Sequence, residues 1–428
     1  MKPRLLLMPL LLVISMGALA APACQFERVA SGSQKIGPWI DKSNWLDIEH
    51  QRVSLQAANV FMPAQRLAGS GKALPVAASS LIPERIEVID PLDGSKRNLE
   101  FMLDSRLYAD GLVVLHKGRI VTERYRNGLR PEEPRLLLTA TRPLLNLLGA
   151  IGVAQGKLTA DKSVTRALPS LSSTAGLRKL SIQRLLENDE RYTWPAEEMA
   201  SWRQAAGWTT SGSAGGVRAW LSQAERWEKP FSAPDAAAVT STPDDDLLAW
   251  VLAESYGMPL SRLFCERLQQ RSPPEHPVLW LNDPQGVDLA DGLALSLRDF
   301  TRLGQTLLDA RTSRNQSKIP GWFVETLTAS AGTRSSSIKG LAKGSVERYG
   351  FVHLGGAANR VALIGSHGSS LYIDFDQRLV IGLYGTYPVA SSPALLATLE
   401  QVWNAIGQAG VPPGVTTTKR SKANLNIS

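Results

Sequence analysis

Apolar and polar positions alternate at both ends of this chain and follow a helical period in the middle. Gly111-Leu-Val-Val-Leu-His116 and Arg119-Ile-Val-Thr-Glu-Arg-Tyr125 are β-rich runs separated by Lys117-Gly118, which reads as a tight hairpin turn. Near the other end, Arg348 to Leu354, Arg360 to Ile364, Ser370 to Phe375 and Arg378 to Tyr384 read as a matching set of strands, with Asp376-Gln377 turning between the last two. In the helix that follows, Leu395, Leu396, Leu399, Val402, Trp403 and Ile406 fall on one face. Leu144 to Ala154 is apolar nearly all round, the mark of a helix enclosed by protein, and Ser181 to Leu186, Asp244 to Tyr256 and Leu295 to Leu308 are further helical stretches. The pattern predicts an α+β protein. An antiparallel sheet drawn from both ends of the chain is flanked by helices, and a mostly helical insertion lies between.

Composition sharpens this reading. With 43% hydrophobic and 20% charged residues in 428, the chain can bury a large core, and no solenoid-length repeat is visible. Lys2 and Arg4, the apolar stretch Leu5 to Met16 and Ala18-Leu19-Ala20 have the form of a secretory signal over residues 1–20. Export to the periplasm or medium follows as an expectation, with no membrane-spanning run after the signal is removed. Cys24 lies close to the cleavage point, but Ala21-Pro22-Ala23 lacks the large aliphatic residue of lipoprotein signals, so lipidation is not expected. Cys24 and Cys265 are the only cysteines. In an oxidising compartment they form either a disulfide or two separate thiols, and the sequence leaves both open.

Loss of Lys2 and Arg4 takes the balance from 47 basic against 39 acidic to 45 against 39, a net charge of +6. The surplus is small and unclustered outside Lys419-Arg420-Ser421-Lys422, which argues against nucleic-acid binding. Residues 21–109 are irregular and read as an extension packed on a main domain at 110–410, with 411–428 a disordered tail. Trp39, Trp45 and Phe61 in the extension are either interface anchors for a partner or simply packed.

Several segments in order resemble one family. Asp110 to Tyr125 looks like its opening hairpin, Gly156-Lys-Leu-Thr-Ala-Asp161 like the loop after its nucleophile helix, and Ser181 to Leu186 like its next helix. Asp291-Gly-Leu-Ala-Leu-Ser-Leu-Arg-Asp-Phe-Thr-Arg-Leu-Gly-Gln305 and Ser366-His-Gly-Ser369 running into Leu371 to Phe375 are similar to two further blocks. The family is that of the serine β-lactamases and penicillin-binding proteins, in the branch of the 6-aminohexanoate-dimer hydrolases and related esterases. The resemblance implies a β-lactamase/transpeptidase-like fold and a serine acyl-transfer site: a Ser attacks the acyl carbon, a Lys three positions on takes its proton, a Tyr assists, and backbone N–H groups hold the oxyanion.

At the chemistry the match departs. The Ser-x-x-Lys element falls on Thr139-Ala-Thr-Arg142, and an Arg stays protonated and cannot serve as a base. Pro143 is expected to push Arg142 out of helical geometry. The Tyr motif falls on Thr240-Ser241-Thr242, without the phenol, and the Thr-His-Thr-Ser-Gly segment is replaced by Glu187 to Arg191. Only the third motif keeps its outline, as His367-Gly368-Ser369.

The expectation is therefore an exported, catalytically impaired or inactive relative that binds a small acyl or peptide ligand in the former active-site cleft. Thr139, Arg142, Ser241 and His367 occupy the catalytic positions, and Thr240, Thr242, Gly368 and Ser369 line the pocket. Arg142 either offers its fork to a ligand carboxylate or forms a structural ion pair with an acid of the insertion. The alternative is residual hydrolysis or acyl transfer on an ester, amide or β-lactam, with Thr139 as nucleophile and His367 as base rather than pocket wall. A third reading is a scaffold with no small ligand. No cofactor or metal is expected: His50, His116, His276 and His353 lack ligand spacing, the glycines of Thr210 to Gly216 follow no strand, and Asp244-Asp-Asp246 reads as a solvated first turn of a helix. Oligomeric state is not legible.

Overall fold

The computed structural model describes residues 24–187, 191–210, 215–228, 231–232, 241–270, 272–312, 318–329, 338–356 and 358–410. The proposed leader, Thr240, most of the segment standing for Thr-His-Thr-Ser-Gly, the centre of the 210–216 loop and the C-terminal tail lie outside them.

Two antiparallel sheets organise the protein. Their strands are β1 (Glu27–Val29), β2 (Ala64–Leu67), β3 (Ala109–His116), β4 (Arg119–Tyr125), β5 (Arg135–Leu136), β6 (Val278–Asn282), β7 (Asp288–Leu295), β8 (Val346–Arg348), β9 (Phe351–His353), β10 (Arg360–Ile364), β11 (Ser370–Asp374) and β12 (Leu379–Gly385). The larger sheet has the order β8-β9-β10-β11-β12-β3-β4, so the two ends of the chain meet where β12 pairs with β3, Ile381 opposite Val114. Period-two alternation serves both faces. Val113, Leu115, Leu371, Ile373 and Val380 point into one core, while Leu112, Val114, Tyr372, Leu379 and Ile381 point into another.

Five helices frame the sheets and the site: α1 (Arg142–Ala154), α2 (Ala196–Ala205), α3 (Pro243–Tyr256), α4 (Leu297–Thr312) and α5 (Pro393–Ala409). Helix α5 covers one face of the large sheet with the expected apolar stripe, and Trp403 stacks on Tyr372 at 5.2 Å between ring centres. Helix α4 covers the other face so closely that a Cβ on Gly382 would lie 2.0 Å from the Thr301 hydroxyl, which is why a glycine interrupts β12. Helix α1 is enclosed from Arg142 to Gly152, as its all-round apolar pattern predicts.

The smaller sheet, β1-β2-β6-β7-β5, adds a second sheet to the expected architecture, drawing β6 and β7 from a middle region that is otherwise mostly helical. Every residue of β6 and β7 is buried, so neither shows the alternation of a strand with one wet face. The N-terminal segment supplies β1 and β2, with Arg66 opposite Leu279 of β6. Trp45 and Phe61 are packed, stacking at 4.9 Å, whereas Trp39 is 79% exposed. Cys24 and Cys265 are joined in a disulfide with Cα atoms 5.8 Å apart, tying the start of the described chain to the insertion.

Because the bridge closes a very long loop, replacing Cys24→Ser and Cys265→Ser together is expected to lower the unfolding free energy by about 2–4 kcal/mol in urea titrations. An unchanged midpoint would show that the bridge contributes nothing.

Candidate active site

The chain reaches the site through β5, whose Arg135 and Leu136 pair with Leu295 and Ala294 of β7. The Leu137 N–H continues the pairing to the Leu293 carbonyl at 2.8 Å. Leu138 then adopts φ +50°, a left-handed conformation that is costly for a branched side chain and is tolerated where the surroundings over-determine it. A 3-10 turn over Leu138–Thr141 follows and runs directly into α1. Thr139 is nearly buried, and its Oγ1 accepts a hydrogen bond from the Ser366 backbone N–H at 2.7 Å.

Arg142 has φ −53° and ψ −48°, so Pro143 does not expel it from the helix as expected. In the first turn Pro143 forfeits no intrahelical bond, and the Arg142 side chain is anchored on three sides. Its Nη1 donates to Asp245 Oδ1, its Nε to Asn146 Oδ1 at 3.0 Å and its Nη2 to the Leu185 carbonyl at 2.6 Å. The guanidinium is buried and does not line the cleft, so its fork is taken by the protein and not offered to a ligand. Thr139 and Arg142 thus start from the same turn and point to different places.

The partner acid belongs to a run that reads as solvated in the sequence. Instead Asp244, Asp245 and Asp246 are all buried, each held by its own donors at the N-terminal end of α3. Asp244 accepts from Trp194 Nε1 at 2.7 Å, and Asp245 also accepts from the Thr242 N–H at 2.8 Å. Asp246 accepts from Trp202 Nε1 at 2.9 Å and from the Ala290 N–H at 2.8 Å. Burial, reinforced by Asp245 and Asp283, pushes the Asp246 carboxyl up to about 7.

Between this run and the cleft stands Asp291 of β7. Ser241 Oγ donates to its Oδ2, and its Oδ1 has no hydrogen-bond partner. Burial pushes this carboxyl up to about 8, with Asp245 and Asp246 adding to the shift and Ser241 and Arg142 opposing it. Sequence reasoning assigned Asp291 no chemistry, although it opens one of the family-like blocks; an acid amid the apolar run Leu289 to Leu295 was the available signal.

His367 sits at φ +56° on the short turn Ser366–Gly368. Its Nδ1 lies 3.1 Å from the Tyr387 carbonyl; a carbonyl only accepts, so the proton is assigned to Nδ1 and Nε2 carries the lone pair. Burial lowers the imidazole pKa, against the Tyr387 hydrogen bond that raises it, which leaves the ring neutral near pH 7. Gly368, at φ +101°, packs under the Tyr387 ring where a Cβ would be 2.9 Å away. Gly368, Ser369 and Thr242 are not among the described residues that line the cleft.

What the structure brings together is Thr139, Ser241, His367, Asp291 and Ser366, around a cavity of about 430 Å³. Trp45, Trp202, Trp208 and Leu138 give it apolar walls, while Asp47, Gln51 and Arg203 add polar groups. No lysine or tyrosine is among the described residues that line it. A separate cavity of about 360 Å³ lies behind Asp246, lined by Arg218, Trp250 and Met258, and holds none of the motif residues. No group of His, Cys, Asp and Glu suited to a metal ion occurs among the described residues.

No family model matches the chain. In sequence it is similar to the 6-aminohexanoate-dimer hydrolase of Paenarthrobacter ureafaciens, with 22% identity over 357 residues, which is 81% of this chain and 88% of that protein. Its fold is similar to that of a Bacillus anthracis protein provisionally assigned as a 6-aminohexanoate-dimer hydrolase, with a TM-score of 0.73 and 20% identity, covering 87% of this chain and 98% of the other. The octameric penicillin-binding protein homologue of Pyrococcus abyssi shares the fold at a TM-score of 0.51 and 14% identity, over 73% of this chain and 76% of its own. In sequence and in its sheet-and-helix architecture the chain is thus similar to proteins of the β-lactamase and penicillin-binding-protein-like serine-hydrolase group.

Proposed function

We propose that this protein binds a small acyl or peptide ligand in the cleft beside Thr139 without the superfamily's Ser/Lys turnover, and that it does so outside the cytoplasm. The observation that carries the first part is the burial of Arg142 against Asp245, Asn146 and the Leu185 carbonyl. A cation fixed in that way removes no proton from the Thr139 hydroxyl. The backbone N–H of Ser366, suited to hold a developing oxyanion, is engaged by Thr139 Oγ1 instead. The Cys24–Cys265 disulfide and the leader-like first twenty residues support an oxidising compartment, and no described helix is long and apolar enough to cross a membrane.

The carboxylate-binding role first considered for Arg142 passes to Arg203 on α2. Arg203 lines the cleft and forms no ion pair with a described residue. A second reading, residual acyl hydrolysis by Thr139 with His367 as base, is favoured by one observation: the neutral imidazole with its Nε2 lone pair lines the same cavity.

Intact-mass analysis after treatment with fluorophosphonate or penicillin is expected to show no adduct. A label that disappears in Thr139→Ala would overturn the proposal in favour of the second reading. The double change Thr139→Ser with Arg142→Lys is expected to give no p-nitrophenyl ester hydrolysis above the parent, because Asp245 would hold a lysine there in its charged form. Arg203→Met is expected to weaken binding of a short N-acetyl peptide carboxylate roughly tenfold in calorimetric titration, the scale of one charge-assisted contact; equal affinity would remove Arg203 from recognition.

A further inference from the structure

The N-terminal segment does more than add two strands to the smaller sheet. It also builds one side of a further cavity, of about 270 Å³, against the main body of the chain. Ser31, Gln34 and Lys42 come from this segment, Phe61 from the short helix Ala58–Phe61, Thr209 from the loop after α2 and Asn282 from the end of β6. Backbone pairing fixes these pieces. The Gly32 and Gln34 N–H groups donate to the Asn59 and Val60 carbonyls, both at 3.1 Å, and the Asn282 N–H donates to the Pro63 carbonyl at 2.8 Å.

Among the described residues that line this cavity, Lys42 alone is charged. Its amine donates to the Phe61 carbonyl at 3.0 Å and lies 5.6 Å from the centre of the Trp45 ring, contacts that hold a cation without neutralising it. The acids nearest in sequence are committed elsewhere. Asp41 accepts from the Ser43 N–H and hydroxyl, and the buried Asp283 accepts from the Val217, Gln285 and Val287 N–H groups. Lys42 forms no ion pair with a described residue, and burial, opposed by no carboxylate, lowers its amine to about 8.

An ammonium taken partly out of water without a counter-charge is costly unless a bound group supplies one. The rest of the wall suits such a group. The Ser31 and Thr209 hydroxyls and the Gln34 amide have no hydrogen-bond partner among the described residues, so unengaged neutral donors accompany an unmatched cation. A lysine point charge among hydroxyls fits a tetrahedral phosphate, whereas a planar carboxylate matches the fork of an arginine. Pro63 and Pro284 give the cavity an apolar side for an organic substituent.

We propose that this cavity is a phosphate site, in which Lys42, with Ser31, Gln34 and Thr209, holds the phosphoryl group of a small phosphate monoester. It shares only Thr209 with the cleft and does not depend on the reading of that cleft.

The test is calorimetric titration of the intact protein with phenyl phosphate, benzoate and phenol, and with inorganic phosphate as competitor. Phenyl phosphate is expected to bind roughly tenfold more tightly than benzoate, phenol to give no heat, and inorganic phosphate to displace the ester. Lys42→Met keeps the stem and removes the charge, so it is expected to weaken phenyl phosphate roughly tenfold or more. Ser31→Ala is expected to weaken it about threefold, the scale of one hydrogen bond. Urea midpoints near the parent's show that the variants fold; if Lys42→Met does not, Ser31→Ala decides, and equal affinity there would overturn the site. Unchanged affinity in a folded Lys42→Met would overturn it too and assign the binding to another part of the protein. Benzoate or phenol binding as tightly as phenyl phosphate, or no displacement by inorganic phosphate, would show that the phosphoryl group is not what is recognised. Absence of phenyl phosphate binding at millimolar concentration would overturn the proposal and leave the cleft reading untouched.

Discussion

A guanidinium in a dry interior must be neutralised, and the Arg142–Asp245 pair is where this protein meets that demand. The pair fastens the nucleophile-position helix α1 to the start of α3, and a third contact from the same side chain reaches the Leu185 carbonyl in the short helix between them. Breaking such a pair from one side leaves an uncompensated charge, so both partners are held by the same constraint. The chemical consequence is direct. The position that the resemblance matches to a proton acceptor holds a cation whose attachments are structural, beside a cleft of about 430 Å³.

The same constraint explains the carboxyl groups nearby. Asp245 is matched by Arg142, whereas Asp246 is held by an indole and a backbone N–H and Asp291 by a single hydroxyl. Neither has a cation of its own, and burial drives both carboxyls upward, Asp246 to about 7 and Asp291 to about 8. Charge imbalance behind the cleft wall thus places a protonatable group in the wall itself. Thr139, meanwhile, sits on a turn that starts from a left-handed Leu138, an arrangement held by β5 pairing on β7.

The large sheet was legible because its outer strands come from the two ends of the chain as separate, well-punctuated β-rich runs, and α5 because its six apolar positions share a face. The smaller sheet was not. Strand β7 is buried throughout, so its apolar run with Asp288 and Asp291 inside it carries no period of two, and β1, β2 and β5 are too short to announce themselves. At the site, Thr139 and Arg142 were placed by motif, and the ion pair was one of two roles left open for Arg142. Three consecutive aspartates suggested a wet helix start; only the tertiary approach of Trp194, Trp202 and Arg142 shows otherwise. The disulfide depended on a distance that spacing of 241 residues cannot supply.

The most direct test of Arg142 as a structural cation is a double-mutant cycle between Arg142→Met and Asp245→Leu, read as unfolding free energy in urea. Each single change is expected to cost about 3–5 kcal/mol by stranding the opposite charge, and the double change to recover enough to give a coupling of about 2 kcal/mol or more. Additive losses, with a coupling near zero, would contradict the claim that Arg142 is bound to Asp245 as a structural element and would return its guanidinium to the cleft.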